Sequence, residues 1–277
     1  MAAEDVDVSI VVFHSDVAAL EETVRSLRTA LASAREAGLL RRATLRLVDN
    51  GSPDPARLDR KAFEGLAPEA DWLALEVLRG HGNVGYGRGH ACAVEQGSAP
   101  HHLVLNPDVV LDSEAVTEAL QYLHAHPHVG LVAPHVVGAS GEREFLCKRY
   151  PSILTLALRG FAPGWLRRPF RGMLERYEMR DLPEDRAVTG VPIASGAFMF
   201  LRRAALDAVG GFSPDYFLYF EDFDLSLRLG RIADIAWVPS VRIRHTGGRA
   251  ARKGWAQRRL FLASATTFFQ RHGWKLV

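Results

Sequence analysis

The segment 103-LVLNPDVVLD-112 is an apolar run broken by Asn106-Pro107-Asp108 and then resumed. A buried strand ending at Leu105 explains the first three residues, because β-branched and aliphatic side chains in a short unbroken run suit a strand covered on both faces. The break has two explanations. Pro107 suits the second position of a type I turn, or the rigid turn presents Asp108 at a strand tip for a divalent cation.

Three upstream segments repeat the pattern of a run ending in polar residues. Val8–Phe13 stops at His14-Ser15-Asp16, and Ala43–Val48 stops at Asp49-Asn50-Gly51-Ser52-Pro53. Trp72–Leu78 runs into 80-GHGNVGYGRGH-90, with five glycines in eleven residues. Between them, Leu20, Val24, Leu27 and Leu31 keep a helical period, and helices are also predicted over 55–66, 87–96 and 113–125. Alternating strands and helices predict a doubly wound parallel sheet over the first 125 residues, which gathers these polar ends on the ligand-binding edge.

The chain has 277 residues, is 48% hydrophobic and 24% charged, and carries a formal charge of +2. Near neutrality argues against nucleic acid as a partner. Cys92 and Cys147 form no disulfide or zinc pattern, no window is apolar enough to span a bilayer, and the N-terminus lacks a signal-peptide n-region. A cytoplasmic location is expected.

The second half is less regular. Residues 141–188 are expected to form an excursion of loops and short helices. Ile193–Arg202 is read as a strand pair, and Ile235–Val238 and Val241–His245 as two further strands. Trp255–Phe269 is read as an amphipathic helix.

Individually the motifs stay ambiguous. The glycine loop could cradle an anion or simply be flexible, since it matches neither the P-loop nor the dinucleotide fingerprint. Asp49 could bind a ligand or cap its own turn. The acids of 221-EDFD-224 suit a helix start, but the aromatic residues at 216–220 beside them would raise their pKa values, which suits a general base. His245 is either structural or a metal ligand.

Together and in order, VSIVVFHSD, LVDNGSPD, GNVGYGRGH, VLNPDVVL, SGAFMFLRRAALDAVGGF, YFEDFDLSLR and the late His-Thr-Gly-Gly resemble inverting family 2 glycosyltransferases, nearest the rhamnosyltransferase-like group. The resemblance implies an α/β GT-A fold, with a mostly parallel central sheet flanked by helices and a smaller acceptor-side portion. It divides the chain into a nucleotide-sugar half (1–125), an acceptor and catalytic half (126–248) and a C-terminal helix (249–277). It places Phe13, His14, Asp49, Asn83, Gly85, Arg88 and Asn106 at the nucleotide or donor, and Ser195, Gly196 and Ala197 along the sugar pocket. Asp108 and His245 would hold Mg²⁺ or Mn²⁺, with Asn106 replacing the first acid of the family's DXD motif. Asp222 is the expected catalytic base, Glu221 its competitor, and Asp224 and Arg228 the structural support. dTDP-L-rhamnose is the expected donor, with UDP-hexoses and a non-catalytic binding protein as alternatives. The acceptor would be a saccharide or lipid-linked saccharide of surface polysaccharide assembly. The basic aromatic tail (249–275) and segment 159–180 leave membrane contact, packing on the body and homo-oligomerisation all open.

Overall fold

A computed structural model describes residues 2–52, 70–245 and 254–277. The helix expected over 55–66 and the Thr-Gly-Gly after His245 lie outside the described residues. Strand β1 (Glu4–Val12) is buried from Val6 onward and forms the middle of a parallel group with β2 (Leu40–Asp49), β3 (Leu73–Leu78) and β4 (His101–Leu105). Asp16 caps helix α1 (Val17–Glu36), accepting from the Ala18 and Ala19 N–H groups at 2.9 and 3.2 Å. Leu20, Val24, Leu27 and Leu31 all face the core, each contributing about 1.5–3 kcal/mol by leaving water. Helix α2 (Tyr86–Glu95) packs on β1 and β2, and α3 (Ala115–Ala125) packs on α1.

Parallel pairing is interrupted after β4 and returns where β6 (Val129–Gly138) meets β10 (Asp234–His245). Short β5 (Val109–Leu111) leaves the neighbourhood of β4 and pairs antiparallel with β10 at the far edge. With β9 as Phe198–Arg202, the strand order is β3-β2-β1-β4-β9-β6-β10-β5. β9 lies antiparallel between β4 and β6, so residues of both halves share one sheet. Two-residue strands β7 (Arg143–Glu144) and β8 (Val188–Thr189) pair antiparallel with β6 and β10.

Two expectations change here. The strand pair over 193–202 is one strand, β9, preceded by a single bridge from Ile193 to Lys148. The two strands at 235–245 are one, because β10 continues through Pro239 by shifting register between Val238 and Arg242. The excursion holds α4 (Ile153–Phe161), α5 (Gly164–Arg167) and α6 (Arg171–Tyr177). Short α7 (Arg203–Ala208) follows β9. Helix α8 (Glu221–Leu229) then carries the acids, and α9 (Trp255–His272) closes the chain.

The helix α9 packs on the body. Phe268 and Phe269 are buried with Tyr216 and Phe220. His272 Nε2 and Arg271 Nη1 reach Asp224 Oδ1 at 2.8 and 3.4 Å. No helix among the described residues is long and apolar enough to cross a membrane.

Candidate active site

The carboxyl ends of β1, β2 and β4 open into a cavity of about 410 Å³, lined by Phe13, Asn50, Asn83, Tyr86, Asn106 and Asp108 among others. Asn50 holds the glycine loop in place. Its amide nitrogen donates to Asn83 Oδ1 and the Gly85 carbonyl at 3.0 and 3.1 Å, and its oxygen accepts the Val84 N–H at 3.1 Å. Gly85 sits at φ +91°, and a Cβ there would lie 2.2 Å from the Phe217 carbonyl oxygen, so only glycine fits. The Tyr86 N–H donates to that same carbonyl at 2.9 Å.

A second cavity of about 310 Å³ lies beside the first, lined by Arg159, Tyr177, Tyr219, Glu221, Asp222 and Phe223 among others. A short bridge joins the two. The Tyr86 hydroxyl lies 2.8 Å from Asn106 Oδ1 and 2.7 Å from the Gly196 carbonyl oxygen. The Gly196 N–H in turn donates to Asp222 Oδ2 at 2.9 Å.

The two acids differ in environment. Asp222 accepts two backbone N–H groups, from Gly196 and Phe223, both at 2.9 Å. Burial raises its pKa and these bonds oppose the rise. Glu221 is 5% exposed, and its Oε2 is buried without a hydrogen-bond partner. Burial and the neighbouring Asp222 push it up to about 8. Both carboxyls are thus pushed up, Glu221 the one without a partner for Oε2 and Asp222 the one whose charged form two backbone N–H groups favour. Directly before them, Tyr219 and Phe220 both take positive φ, 71° and 66°, a backbone cost concentrated at the functional turn.

At the tip of β4, Asp108 Oδ1 lies 3.5 Å from His245 Nε2, and His245 Nδ1 lies 3.0 Å from Glu144 Oε2. Asp108, opposed by burial and supported by Glu144, raises His245 to about 9. The Asp108 carboxylate is an oxygen donor of the kind Mg²⁺ and Mn²⁺ take, and His245, an imidazolium while it sits between Asp108 and Glu144, joins it as a ligand on giving up its proton to the incoming ion. The residues present therefore fit the expected ion.

The structure brings Phe13, Asn83, Gly85, Asn106 and Asp108 to the first cavity, with Gly196 on the bridge and Ser195 beside it. Three expected residues stand elsewhere. Arg88 lines a separate cavity of about 620 Å³ with Arg203 and Asp207. It follows Tyr86 by two helix positions, about 200° around the axis, so the two side chains leave opposite faces. His14 is exposed, at φ 51°, with its ring edge against Phe13. Asp49 does not line the first cavity, and its Oδ1 accepts the Ser52 N–H at 2.8 Å, as a turn cap does. Asn50, Tyr86 and Glu144 were not singled out from the sequence. A lone tyrosine among five glycines is the signal that could have marked Tyr86.

Comparison with known proteins bears on the family and the fold. A family model described as "Glycosyltransferase like family 2" matches residues 60–263. An N-acetylglucosaminyl-diphospho-decaprenol L-rhamnosyltransferase of Mycobacterium tuberculosis is 29% identical over 145 residues, 52% of this chain. The chain matches only 46% of that relative's length. Among solved structures, the mannosyltransferase PcManGT from Pyrobaculum calidifontis, in complex with GDP-Man and Mn²⁺, superposes with a TM-score of 0.62 at 16% identity, covering 98% of this chain and 67% of that one. S. aureus TarS (residues 1–349) does so with 0.58 at 14%, covering 97% and 72%. Both share the GT-A fold of this chain. With the family model spanning most of its length, the chain belongs to glycosyltransferase-like family 2.

Proposed function

We propose that the chain is an inverting glycosyltransferase that moves L-rhamnose from dTDP-L-rhamnose to a lipid-linked saccharide. The observation that carries this reading is the bridge Asn106–Tyr86–Gly196–Asp222, which couples two adjoining cavities through one hydroxyl and one backbone amide. A nucleotide-sugar in the first cavity and an acceptor in the second would meet at that bridge. The curated relative's rhamnosyl transfer and the Asn-Pro-Asp turn support the sugar.

In the mechanism, the acceptor hydroxyl lies between Asp222 and the anomeric carbon. Asp222 takes its proton as the new C–O bond forms on the face opposite the phosphate, and the old C–O bond breaks with its electron pair leaving on the nucleoside diphosphate. Asp108 and His245 would hold Mg²⁺ or Mn²⁺, which supplies positive charge for the departing diphosphate. The Tyr86 hydroxyl keeps Asn106 and Gly196 in register, so donor and base are set by one group.

A lipid-linked acceptor is reached at a membrane surface. Of the ten exposed large hydrophobic residues described, seven (Trp165, Leu166, Trp255, Leu262, Trp274, Leu276 and Val277) lie on α5, α9 and the tail. Arg167, Arg168, Arg258 and Arg259 are exposed beside them in the same segments. That composition favours an anionic lipid surface.

The test is mass-detected transfer to a synthetic diphosphate-linked saccharide, with dTDP-L-rhamnose and a panel of UDP-hexoses, each with Mn²⁺. Rhamnosyl product from the wild type and none from Asp222→Asn is the expected result. Faster turnover of a UDP-hexose would overturn the donor, and absence of transfer from every donor would overturn the activity.

A further inference from the structure

At the sheet edge opposite the donor cavity, three side chains from three elements converge. Glu4 opens β1, His101 opens β4, and His124 lies in the last turn of α3. One ligand atom from each lies within 4.8 Å of the other two. Both imidazoles turn Nε2 toward the same oxygen, Glu4 Oε2, with His124 at 2.9 Å and His101 in tighter contact. The His101 side chain is 1% exposed and that of His124 15%, so the imidazoles form a fixed floor, while the Glu4 side chain is 31% exposed. His101 is held there by the rings of Phe200 at 5.7 Å and His124 at 6.2 Å.

We propose that Glu4, His101 and His124 form a zinc site that ties β1, β4 and α3 together. Two imidazole nitrogens and one carboxylate oxygen make a borderline donor set, which zinc accepts with water as fourth ligand and which Mg²⁺ and Mn²⁺ favour less. Zinc bonds of about 2.0–2.1 Å separate tetrahedral ligand atoms by about 3.3 Å. Taking the ion therefore lengthens the two contacts to Glu4 Oε2 and brings the two imidazole nitrogens, which lie within 4.8 Å of each other, to about the same 3.3 Å spacing. Glu4 has that freedom, because the β1–β2 register shifts between Glu4 and Asp5 and its side chain reaches solvent. The same open side admits the water. The five residues of β4 separate this site from Asn106 by roughly 16 Å, so its role is structural and independent of the transfer reaction.

The test uses the full chain, dialysed against EDTA, titrated with Zn²⁺ and followed by thermal unfolding and by metal content after gel filtration. The expected result is one retained zinc per chain and a raised Tm. Glu4→Gln, which keeps the side chain's shape, and His124→Ala should each lose both effects. Asp108→Asn and His126→Ala should keep both. The proposal is overturned if the wild type retains no zinc, if Glu4→Gln and His124→Ala still bind it, or if Asp108→Asn or His126→Ala abolishes it.

Discussion

The Tyr86 hydroxyl lies 2.8 Å from Asn106 Oδ1, so the amide that replaces an acid at the strand tip is engaged by a protein donor. The hydroxyl's single hydrogen serves one acceptor at a time, so removing the hydroxyl leaves Asn106 Oδ1 or the Gly196 carbonyl short of a donor in a partly buried place. Tyr86→Phe should cost about 1–2 kcal/mol in urea unfolding. Initial rates should show a donor KM raised several-fold and a lower kcat. Rates equal to wild type would remove Tyr86 from the site.

Asp222 and Glu221 separate by function in paired variants. Loss of a general base typically costs about 10²–10⁴ in rate. Asp222→Asn should lose that much while calorimetric nucleotide affinity stays within about two-fold. Glu221→Gln should retain most turnover, since Glu221 already holds its proton. The reverse pattern would exchange their roles.

Glu221 also gives stability a defined pH slope. Its pKa is raised to about 8 in the fold, against 4.5 for the free side chain. The folded state therefore binds more protons than the unfolded chain between these values, and stability falls as pH rises from about 4.5 through about 8. Glu221→Gln should flatten this part of the curve and gain a few kcal/mol at pH 8 relative to pH 5, read from denaturation midpoints in urea. An unchanged slope would mean that Glu221 is solvated.

Asp224 ties α8 to α9. It is fully buried, with Arg228 Nε at 2.8 Å and His272 Nε2 at 2.8 Å. Burial pushes its pKa up, but the His272 and Arg228 contacts together hold it below the usual carboxylate value. Its contribution is thus present above about pH 4 and is lost as pH falls through the folded pKa. Asp224→Ala should cost about 3–5 kcal/mol and open α9 to proteolysis.

Membrane contact makes its own prediction. Replacing Arg258 and Arg259 by Glu should sharply reduce co-sedimentation with anionic phosphatidylglycerol vesicles and leave neutral vesicles unaffected. Transfer to a short water-soluble acceptor should be unchanged. Equal co-sedimentation by the variant would make α9 purely a packing element.

Much of the donor half was legible because its signals are local. The β-branched runs of β1 to β4 and the leucine spacing of α1 are read from adjacent residues, and their limits fall within a few positions of those expected. What stayed hidden is non-local. Nothing in Phe198–Arg202 says that β9 runs antiparallel between β4 and β6. Glu144 meets His245 across 101 positions, from inside a segment that reads only as an irregular excursion. Arg88 shows the opposite failure: a loop motif suggested its role, but helix geometry turned it away.

Tyr219 and Phe220 set a competition of energies at the threshold of α8. Each residue in the left-handed region costs about 1–3 kcal/mol, which glycine would largely avoid. Burial of the Phe220 ring against Phe223, Phe261 and Phe268 offsets part of that, about 1.5–3 kcal/mol. The turn that aims Glu221 and Asp222 is thus held against backbone relaxation in part by ring cohesion. Small changes in how α9 seats its phenylalanines would therefore reach the acids directly, which makes the C-terminal helix a tuning element for the reaction centre.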